Sequence, residues 1–234
     1  MKRFAVLIAA AAMLFVATAA STAWLAARPD GSVCHGTVVD GHLENAQRLP
    51  YSGANYRAYS LAGFVLGRTF MHSSVRRTIE DAYVQLQGSH PGLRFVYAES
   101  GWPWGGRFPP HKSHANGTAV DFHVPVRSRD GAVSEIPTGV FTKLGYGAEF
   151  DLIGHAGSLF IDFSAMAAHL LALHTAAEKN GIAIRRVIFD PPLQKLLFAG
   201  KEGAALQASV PFSSTRSWIR HDEHYHVDFS VACR

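Results

Sequence analysis

The sequence predicts an α+β fold: a single domain in which a small antiparallel sheet is flanked by helices. Residues 118–126 and 224–233 alternate apolar and polar side chains with period two, as half-buried strands do. Residues 73–88 and 162–181 repeat apolar residues at helical spacing. These elements follow one another without the regular βαβ alternation of a parallel sheet, so α+β is favoured over a doubly wound fold.

The first nineteen residues have the pattern of a secretory signal peptide. A basic Met1-Lys2-Arg3 precedes the apolar stretch from Phe4 to Ala17, and Ala17-Thr18-Ala19 fits the small-residue cleavage site. The alternative is an uncleaved anchor, because weakly apolar sequence continues to Ala27. In either case the folded domain, residues 28–234, is expected outside the cytoplasm.

Composition indicates a globular domain and gives no sign of a nucleic-acid partner. Hydrophobic residues make up 48% and charged residues 17%, which disfavours disorder. The net charge is +4, and without Lys2 and Arg3 the balance is 20 basic against 18 acidic residues, or +2. With so small an excess and no run of Lys or Arg, no nucleic-acid binding is expected.

The two cysteines agree with export. Cys34 and Cys233 lie near the ends of the expected mature chain, and in an oxidising compartment such a pair predicts a disulfide. Two unpaired thiols are the alternative. Neither cysteine is near a histidine cluster in the sequence, so neither is assigned to a metal.

The remaining elements follow from turn residues and apolar runs. The first helix is capped by Ser73 or Ser74, and the second begins at Asp162 or Ser164 and ends at Gly181. Three more elements and two segments are predicted: strands over 93–98 and 182–189, a short helix over 191–198, an irregular entry over 28–60, and a loop-like excursion over 127–160.

Both alternating strands carry polar residues of metal-ligand type on the face away from the core. On the first strand, Asp121 and His123 oppose an apolar face made by Val120, Phe122, Val124 and Val126. On the last, the outward set is His224, His226 and Asp228, and the buried set is Tyr225, Val227, Phe229 and Val231. Two strands that present such residues on one face give a metal site on rigid elements.

Five of the thirteen histidines lie in two clusters, 111–121 and 221–226. Imidazole nitrogens and carboxylate oxygens are zinc ligands, and a catalytic zinc keeps three protein ligands and one open position. His114, Asp121 and one histidine of the second cluster would supply that set, with Gly117 allowing a tight turn between the first two. The alternatives are hydrogen-bonded histidines without metal, or an aspartate that only orients an imidazole.

Together the clusters resemble those of the penicillin-insensitive murein endopeptidases, in the lysostaphin/D-Ala-D-Ala metallopeptidase superfamily. That family's pattern is His-x-x-His-x-x-Gly-x-x-x-Asp followed by His-x-x-His-x-His. The matching residues are His111, His114, Gly117 and Asp121, then His221, His224 and His226, with Ser113 before the ligand histidine. The similarity runs from about residue 90 to the end and includes Gly105-Gly106 and Ile188–Pro191.

The resemblance implies a periplasmic metallopeptidase that hydrolyses peptidoglycan cross-links of the D-alanyl–diaminopimelyl type. It implies one zinc ion per chain, bound by His114, Asp121 and His226. His224 would be the general base or an oxyanion donor, and His111 and His221 would line the site. The expected partners are cross-linked peptides of peptidoglycan, and a membrane only through an uncleaved N-terminal segment.

Two departures from the family pattern bear on these roles. Glu223 lies three residues before His226, which is how D-alanyl-D-alanine dipeptidases and carboxypeptidases of the superfamily place their base, so Glu223 is the alternative base. Strand alternation puts it on the face opposite His226, which favours His224. Asp151 and His155 have the wrong spacing for the second cation site of some murein endopeptidases, so no second dedicated metal is expected.

The loop at 100–110 is the expected substrate wall. It contains Trp104 and also Arg107, whose guanidinium could hold a substrate carboxylate. A packed loop with a surface arginine is the alternative.

Two other functions remain open. One is a D-alanyl-D-alanine carboxypeptidase or dipeptidase, which would have a closed pocket instead of a groove. The other is a non-catalytic zinc-binding wall protein, against which the presence of both His224 and Glu223 argues.

Overall fold

The structure, a computed structural model, describes residues 31–234. The expected signal peptide at 1–19 and the alternative anchor to Ala27 lie outside the described residues. Ser32–Arg234 forms one compact unit. Within the described part of the chain, no helix is long and apolar enough to cross a bilayer.

The described residues form eleven strands, five α-helices and one 3₁₀ segment. The strands are β1 (Val33–Gly36), β2 (Gly41–Glu44), β3 (Tyr56–Ala58), β4 (Phe95–Tyr97), β5 (Ala119–His123), β6 (Val126–Ser128), β7 (Val133–Ser134), β8 (His155–Ala156), β9 (Leu159–Ile161), β10 (Ala183–Ile188) and β11 (His224–Ser230). The helices are α1 (Leu61–Val65), α2 (Ser73–Ser89), α3 (Phe163–Lys179), α4 (Pro191–Ala199) and α5 (Gly203–Ser209), with the 3₁₀ segment at Val140–Gly145.

The central sheet has the strand order β10-β11-β5-β4-β3. Its neighbours are antiparallel except for β3 and β4, which are parallel. The predicted α+β class is therefore confirmed, but this sheet is mixed and not purely antiparallel. The register of β11 on β5 sets His226 opposite Asp121 and His224 opposite His123.

Two smaller sheets occupy segments that the sequence predicted to be irregular. β1 and β2 form a hairpin, and β7-β6-β9-β8 form a four-stranded antiparallel sheet. The prediction that residues 28–60 and 127–160 are irregular is therefore wrong where these strands form. Strands of two to four residues are too short to establish a period of two, so pattern alone does not reveal them.

The two long helices lie where the sequence predicts them and pack against each other. The cap of α2 differs from the prediction, because His72 occupies it and its Nδ1 accepts from the Ser74 amide at 3.1 Å. The cap of α3 is Asp162, one of the two residues predicted for it, with its carboxylate accepting from the Ala165 amide at 3.0 Å.

β5 is buried on both faces, which corrects the expectation of a half-buried strand. Val120 and Phe122 belong to the main core, and Asp121 and His123 on the other face are 0% and 3% exposed. The second face is covered because the rings of Tyr59 and Tyr146 pack against His123. The predicted metal-ligand face is thus an interior one.

The predicted disulfide between Cys34 and Cys233 is present. Beside it, the Gly36 amide donates to the Arg234 carbonyl at 3.0 Å, and the Arg234 amide donates to the Cys34 carbonyl at 2.9 Å. The chain end is therefore held alongside β1. A disulfide of this kind indicates an oxidising compartment, as expected for an exported protein.

Candidate metal centre

Adjacent strands β5 and β11 bring Asp121 and His226 face to face. His226 Nδ1 lies 2.8 Å from Asp121 Oδ1, and His114 Nε2 lies 3.4 Å from the same oxygen. His114 reaches this position from the loop before β5, and its ring centroid is 4.8 Å from that of His226. His114 and His226, two of the three zinc ligands that the resemblance implies, thus both lie close to the third, Asp121.

His114 is in the tautomer that a metal ligand requires. Its Nδ1 lies 3.2 Å from the Ala119 carbonyl, which can only accept, so Nδ1 carries the proton. Its Nε2 is fully buried and has no hydrogen-bond partner among residues 31–234. The Nε2 lone pair is therefore unpaired and lies 3.4 Å from Asp121 Oδ1, which is an arrangement that a bound cation would satisfy.

His226 is held between two carboxylates. Its Nε2 donates to Asp228 Oδ1 at 2.7 Å, and Asp228 is paired with Arg186 through Arg186 Nε at 3.0 Å. Burial lowers the pKa of His226, but the hydrogen bonds to Asp121 and Asp228 outweigh it and raise the pKa to about 9. Without metal this ring is an imidazolium, and a cation would have to displace the Nδ1 proton.

Asp121 is an ionised carboxylate despite complete burial. Burial raises its pKa, but His114 and His224 lie close by and the ring of His226 is hydrogen-bonded to it, so the net pKa is well below the ordinary value. The Tyr146 hydroxyl donates to its other oxygen, Oδ2, at 3.1 Å. Both carboxylate oxygens are therefore oriented by the surrounding side chains.

Glu99 also belongs to this buried cluster, although the sequence patterns did not indicate it. Its Oε2 lies 2.5 Å from His111 Nε2, and the Tyr59 hydroxyl and Arg68 guanidinium also donate to it. Burial raises the pKa of Glu99, but the hydrogen bonds and charges of His111 and Arg68 lower it by a larger amount, so the net pKa is about 2. The available signal was its position two residues after β4, whose partner strand β5 carries Asp121.

His111 comes closer to the cluster than a lining role requires. Its Nδ1 is 3.7 Å from Asp121 Oδ2, and His111, His114 and Asp121 each offer a donor atom within 4.8 Å of the others. Burial lowers the pKa of His111, but the Glu99 hydrogen bond and the charges of Asp121 and Glu99 together outweigh burial and leave the pKa raised. This buried His/Asp cluster could hold a metal ion.

The two base candidates, His224 and Glu223, are in contact. His224 Nδ1 lies 2.9 Å from Glu223 Oε1, and His224 Nε2 lies 3.9 Å from Asp121 Oδ2. β11 begins at His224, so strand alternation does not extend to Glu223. Burial raises the pKa of Glu223 to about 7 and lowers that of His224 to about 4.

His221 lies beside this pair, as expected for a lining residue. Its ring centroid is 4.6 Å from that of His224, and its Nδ1 lies 2.9 Å from the Ile219 carbonyl. Burial lowers its pKa to about 4, so the ring is neutral at neutral pH.

Two cavities adjoin the cluster and share the side chains of His111, Ile219 and His224. The hairpin-side cavity has about 250 Å³ and the tyrosine-side cavity about 300 Å³. The hairpin-side cavity is also lined by Val38, Val39, Lys112, Arg186, Trp218 and His221. The tyrosine-side cavity is also lined by Glu99, Lys143, Tyr146, Arg220 and Glu223.

Trp104 and Arg107 line neither cavity, and both are exposed. The ring of Trp102 stacks on Trp104 and packs edge-on against Phe108, and its Nε1 donates to the Arg107 carbonyl at 3.2 Å. These contacts fit the alternative of a packed loop with a surface arginine. The cationic side chains that do line the cavities are on other loops and strands.

Neither the protein-family models nor the curated proteins gave a match to this chain.

Proposed function

We propose that the protein is a zinc-dependent endopeptidase that hydrolyses peptide cross-links of peptidoglycan. The observation that carries the proposal is the meeting of His114 and His226 on Asp121, beside the hydrogen-bonded pair of His224 and Glu223. This combines a ligand set that leaves a coordination position open with a base next to it, as hydrolysis at a metal requires.

The ligands we assign are His114 Nε2, Asp121 and His226 Nδ1. Each imidazole has its other nitrogen hydrogen-bonded to an acceptor, Ala119 O in one case and Asp228 in the other, which is the usual support of a ligating histidine. Zinc held by this set supplies Lewis-acid polarisation of a carbonyl and lowers the pKa of a bound water to about 7. His111 Nδ1 is the alternative third ligand, because it lies 3.7 Å from Asp121 Oδ2 while Glu99 supports the ring through Nε2.

His224 and Glu223 would handle the proton of the attacking water. With Nδ1–H donated to Glu223, the His224 Nε2 lone pair is free to accept a proton near Asp121. Glu223 then stabilises the imidazolium that forms, and a carboxyl with a pKa near 7 is suited to proton exchange at neutral pH. The proton returns from His224 to the leaving amine.

The two cavities favour an endopeptidase over a carboxypeptidase. Because His111, Ile219 and His224 line both cavities, a peptide that occupies the two would pass the cluster and continue beyond it. Each cavity also presents a lysine, Lys112 on the hairpin side and Lys143 on the tyrosine side, beside an arginine that is already ion-paired, Arg186 with Asp228 and Arg220 with Asp222. The lysine ammonium groups match the free carboxylates of cross-linked wall peptides.

The test is a digest of purified peptidoglycan with the zinc-loaded protein, followed by separation of the muropeptides. We expect cross-linked dimers to fall and monomers to rise with the wild type and with His90→Ala, an exposed control. His114→Ala should leave the dimers intact. Trimming of terminal D-alanine without loss of dimers would instead establish the carboxypeptidase.

If neither muropeptide pool changes although the protein binds zinc, the chain is a non-catalytic zinc-binding protein and the enzyme proposal fails. Zinc content must therefore be measured on the same samples as the digest. This pairing separates a loss of activity from a loss of metal.

A further inference from the structure

The outer face of the β1–β2 hairpin carries a second group of metal-ligand side chains. The register pairs His35 with His42 and Cys34 with Leu43. Cys34 and Leu43 are buried, so His35 and His42 share the opposite, outward face. Glu44, two residues along β2 from His42, lies on that same face.

The three donor groups converge. The imidazole rings of His35 and His42 are stacked, with centroids 4.1 Å apart and planes 6° from parallel. His35 Nε2 lies 2.9 Å from Glu44 Oε1, and one donor atom from each of the three residues lies within 4.8 Å of the others. A bound ion would replace the His35–Glu44 hydrogen bond, and the two imidazole rings would turn out of their stacked arrangement so that one nitrogen of each faces the ion.

The hairpin that carries this group is fixed at several points. The disulfide of Cys34 and the pairing of β1 with Arg234 hold one strand. The other strand is held by the Leu43 amide donating to the Trp104 carbonyl at 3.0 Å, and by the Gly106 amide donating to the Gly41 carbonyl at 3.0 Å. A ligand group on a fixed backbone loses little conformational entropy when it binds an ion.

We propose that His35, His42 and Glu44 form a second, peripheral site for a divalent transition-metal cation of the zinc, nickel or copper(II) class. Two imidazoles and one carboxylate suit these ions, whereas magnesium and calcium prefer oxygen ligands alone. The site is open to solvent, so water completes the coordination. It differs from the sequence-based expectation of one zinc ion per chain.

The site acts on the hairpin and is independent of the proposed hydrolysis. An ion that bridges β1 and β2 cross-links the two strands next to the turn at 37–40. Val38 and Val39 of this turn line the hairpin-side cavity. The bound cation therefore stabilises one wall of that cavity without contacting the central cluster.

The test counts zinc ions bound by the untagged protein after equilibrium dialysis, in four matched variants. His114→Ala removes a ligand of the central cluster, and His42→Ala removes a ligand of the hairpin site. The double variant combines these two substitutions, and His90→Ala changes neither site. We expect the His42→Ala protein to bind one equivalent less than wild type, and the double variant to bind one less than His114→Ala. Glu44→Gln should weaken the same equivalent.

Equal zinc content in wild type and His42→Ala would overturn the hairpin site, whatever His114→Ala does. Failure of the central site would appear differently, as equal zinc content in wild type and His114→Ala. A second readout is paramagnetic broadening by nickel of the imidazole proton signals. Broadening of His35 and His42 but not His90 in the His114→Ala protein supports the site, and its absence contradicts it.

Discussion

At the residue scale, the hydrogen bonds behind the proposed ligands decide how their rings are oriented and protonated. His226 is held by Asp228 at one nitrogen and faces Asp121 with the other, and Asp228 is in turn paired with Arg186. Burial raises the pKa of Asp228, but His226 and Arg186 outweigh it and bring the pKa to about 2. Asp228 is therefore ionised throughout the physiological range and fixes the orientation of the His226 ring.

Asp228→Asn should weaken zinc binding by roughly 10–100-fold, the usual effect of losing a partner behind a ligating histidine. The amide keeps the size of the side chain but not its charge, so His226 loses both orientation and basicity. Competition with a zinc-chelating dye measures the affinity. Asp81→Asn, on α2 and away from the cluster, is the control, and equal affinities in both variants would remove Asp228 from the metal centre.

A second residue-scale prediction concerns the pH dependence of stability. Burial raises the pKa of the Glu223 carboxyl from 4.5 to about 7. The native protein then binds more protons than the unfolded chain between these values, so the contribution of Glu223 to stability falls as pH rises through this window. Above about pH 7 the buried Glu223 carboxylate is fully charged, and its burial then lowers the free energy of unfolding by the full amount.

Glu223→Gln should therefore raise the free energy of unfolding of the metal-free protein above about pH 7, by on the order of 2–3 kcal/mol. The difference should disappear below the pKa of the unfolded side chain. Urea denaturation at a series of pH values measures it. The exposed Glu178→Gln should show no such trend, and a pH-independent difference for Glu223→Gln would contradict the assigned pKa.

At the element scale, the turn between His114 and β5 positions His114. Gly117 has φ +73°, a conformation that side chains with a Cβ rarely adopt. A Cβ at this position would lie 2.3 Å from Leu43 Cδ2 and 3.0 Å from the His72 amide nitrogen. The turn is therefore packed against β2 and against the start of α2 as well as leading into β5.

Gly117→Ala should reduce both stability and zinc affinity, because the strain and the contact with Leu43 shift the loop that carries His114. We expect a loss of stability of more than about 1 kcal/mol. The control is Gly131→Ala, which has a similar φ of +83° but nothing within 4 Å of its would-be Cβ. It should lose stability from strain alone and keep its zinc affinity, so equal affinity losses in both would contradict this reading.

At the scale of the whole molecule, the disulfide joins the two ends of the described domain across a sequence separation of 199 residues. Replacing both cysteines, Cys34→Ser with Cys233→Ser, should lower the free energy of unfolding by roughly 2–5 kcal/mol. Urea denaturation of the variant, and of the wild type under reducing conditions, measures the change. If the two do not agree, the effect arises from the serines and not from the cross-link.

The same cross-link holds the hairpin next to the C-terminal strand. Because Val38 and Val39 line a cavity beside His224 and His226, loss of the disulfide should also lower the affinity for cross-linked peptides more than the turnover rate. Measurement of KM and kcat in the double-serine variant checks this, and KM should rise by a larger factor than kcat falls.

The sequence alone determined the elements whose patterns are long and the chemistry whose residues are unusual. The two long helices and the strands at 119–123 and 224–230 follow from periodicity, and the disulfide follows from the two cysteines and their placement. The choice of His226 as the partner of His114 and Asp121 came from the family resemblance, because the residues alone left open which histidine of the second cluster would join them. The periodic patterns of the helices and strands are local, so they can be recognised without any knowledge of packing.

Tertiary structure decided what depends on distant contacts. It placed Glu99 on His111, Tyr146 on Asp121 and Glu223 on His224. It also buried the outer face of β5, and it left Trp104 and Arg107 away from the cavities. The physical reason is that side-chain hydrogen bonds, burial and the resulting pKa values arise between elements far apart in the chain, and no local pattern encodes which of them will meet.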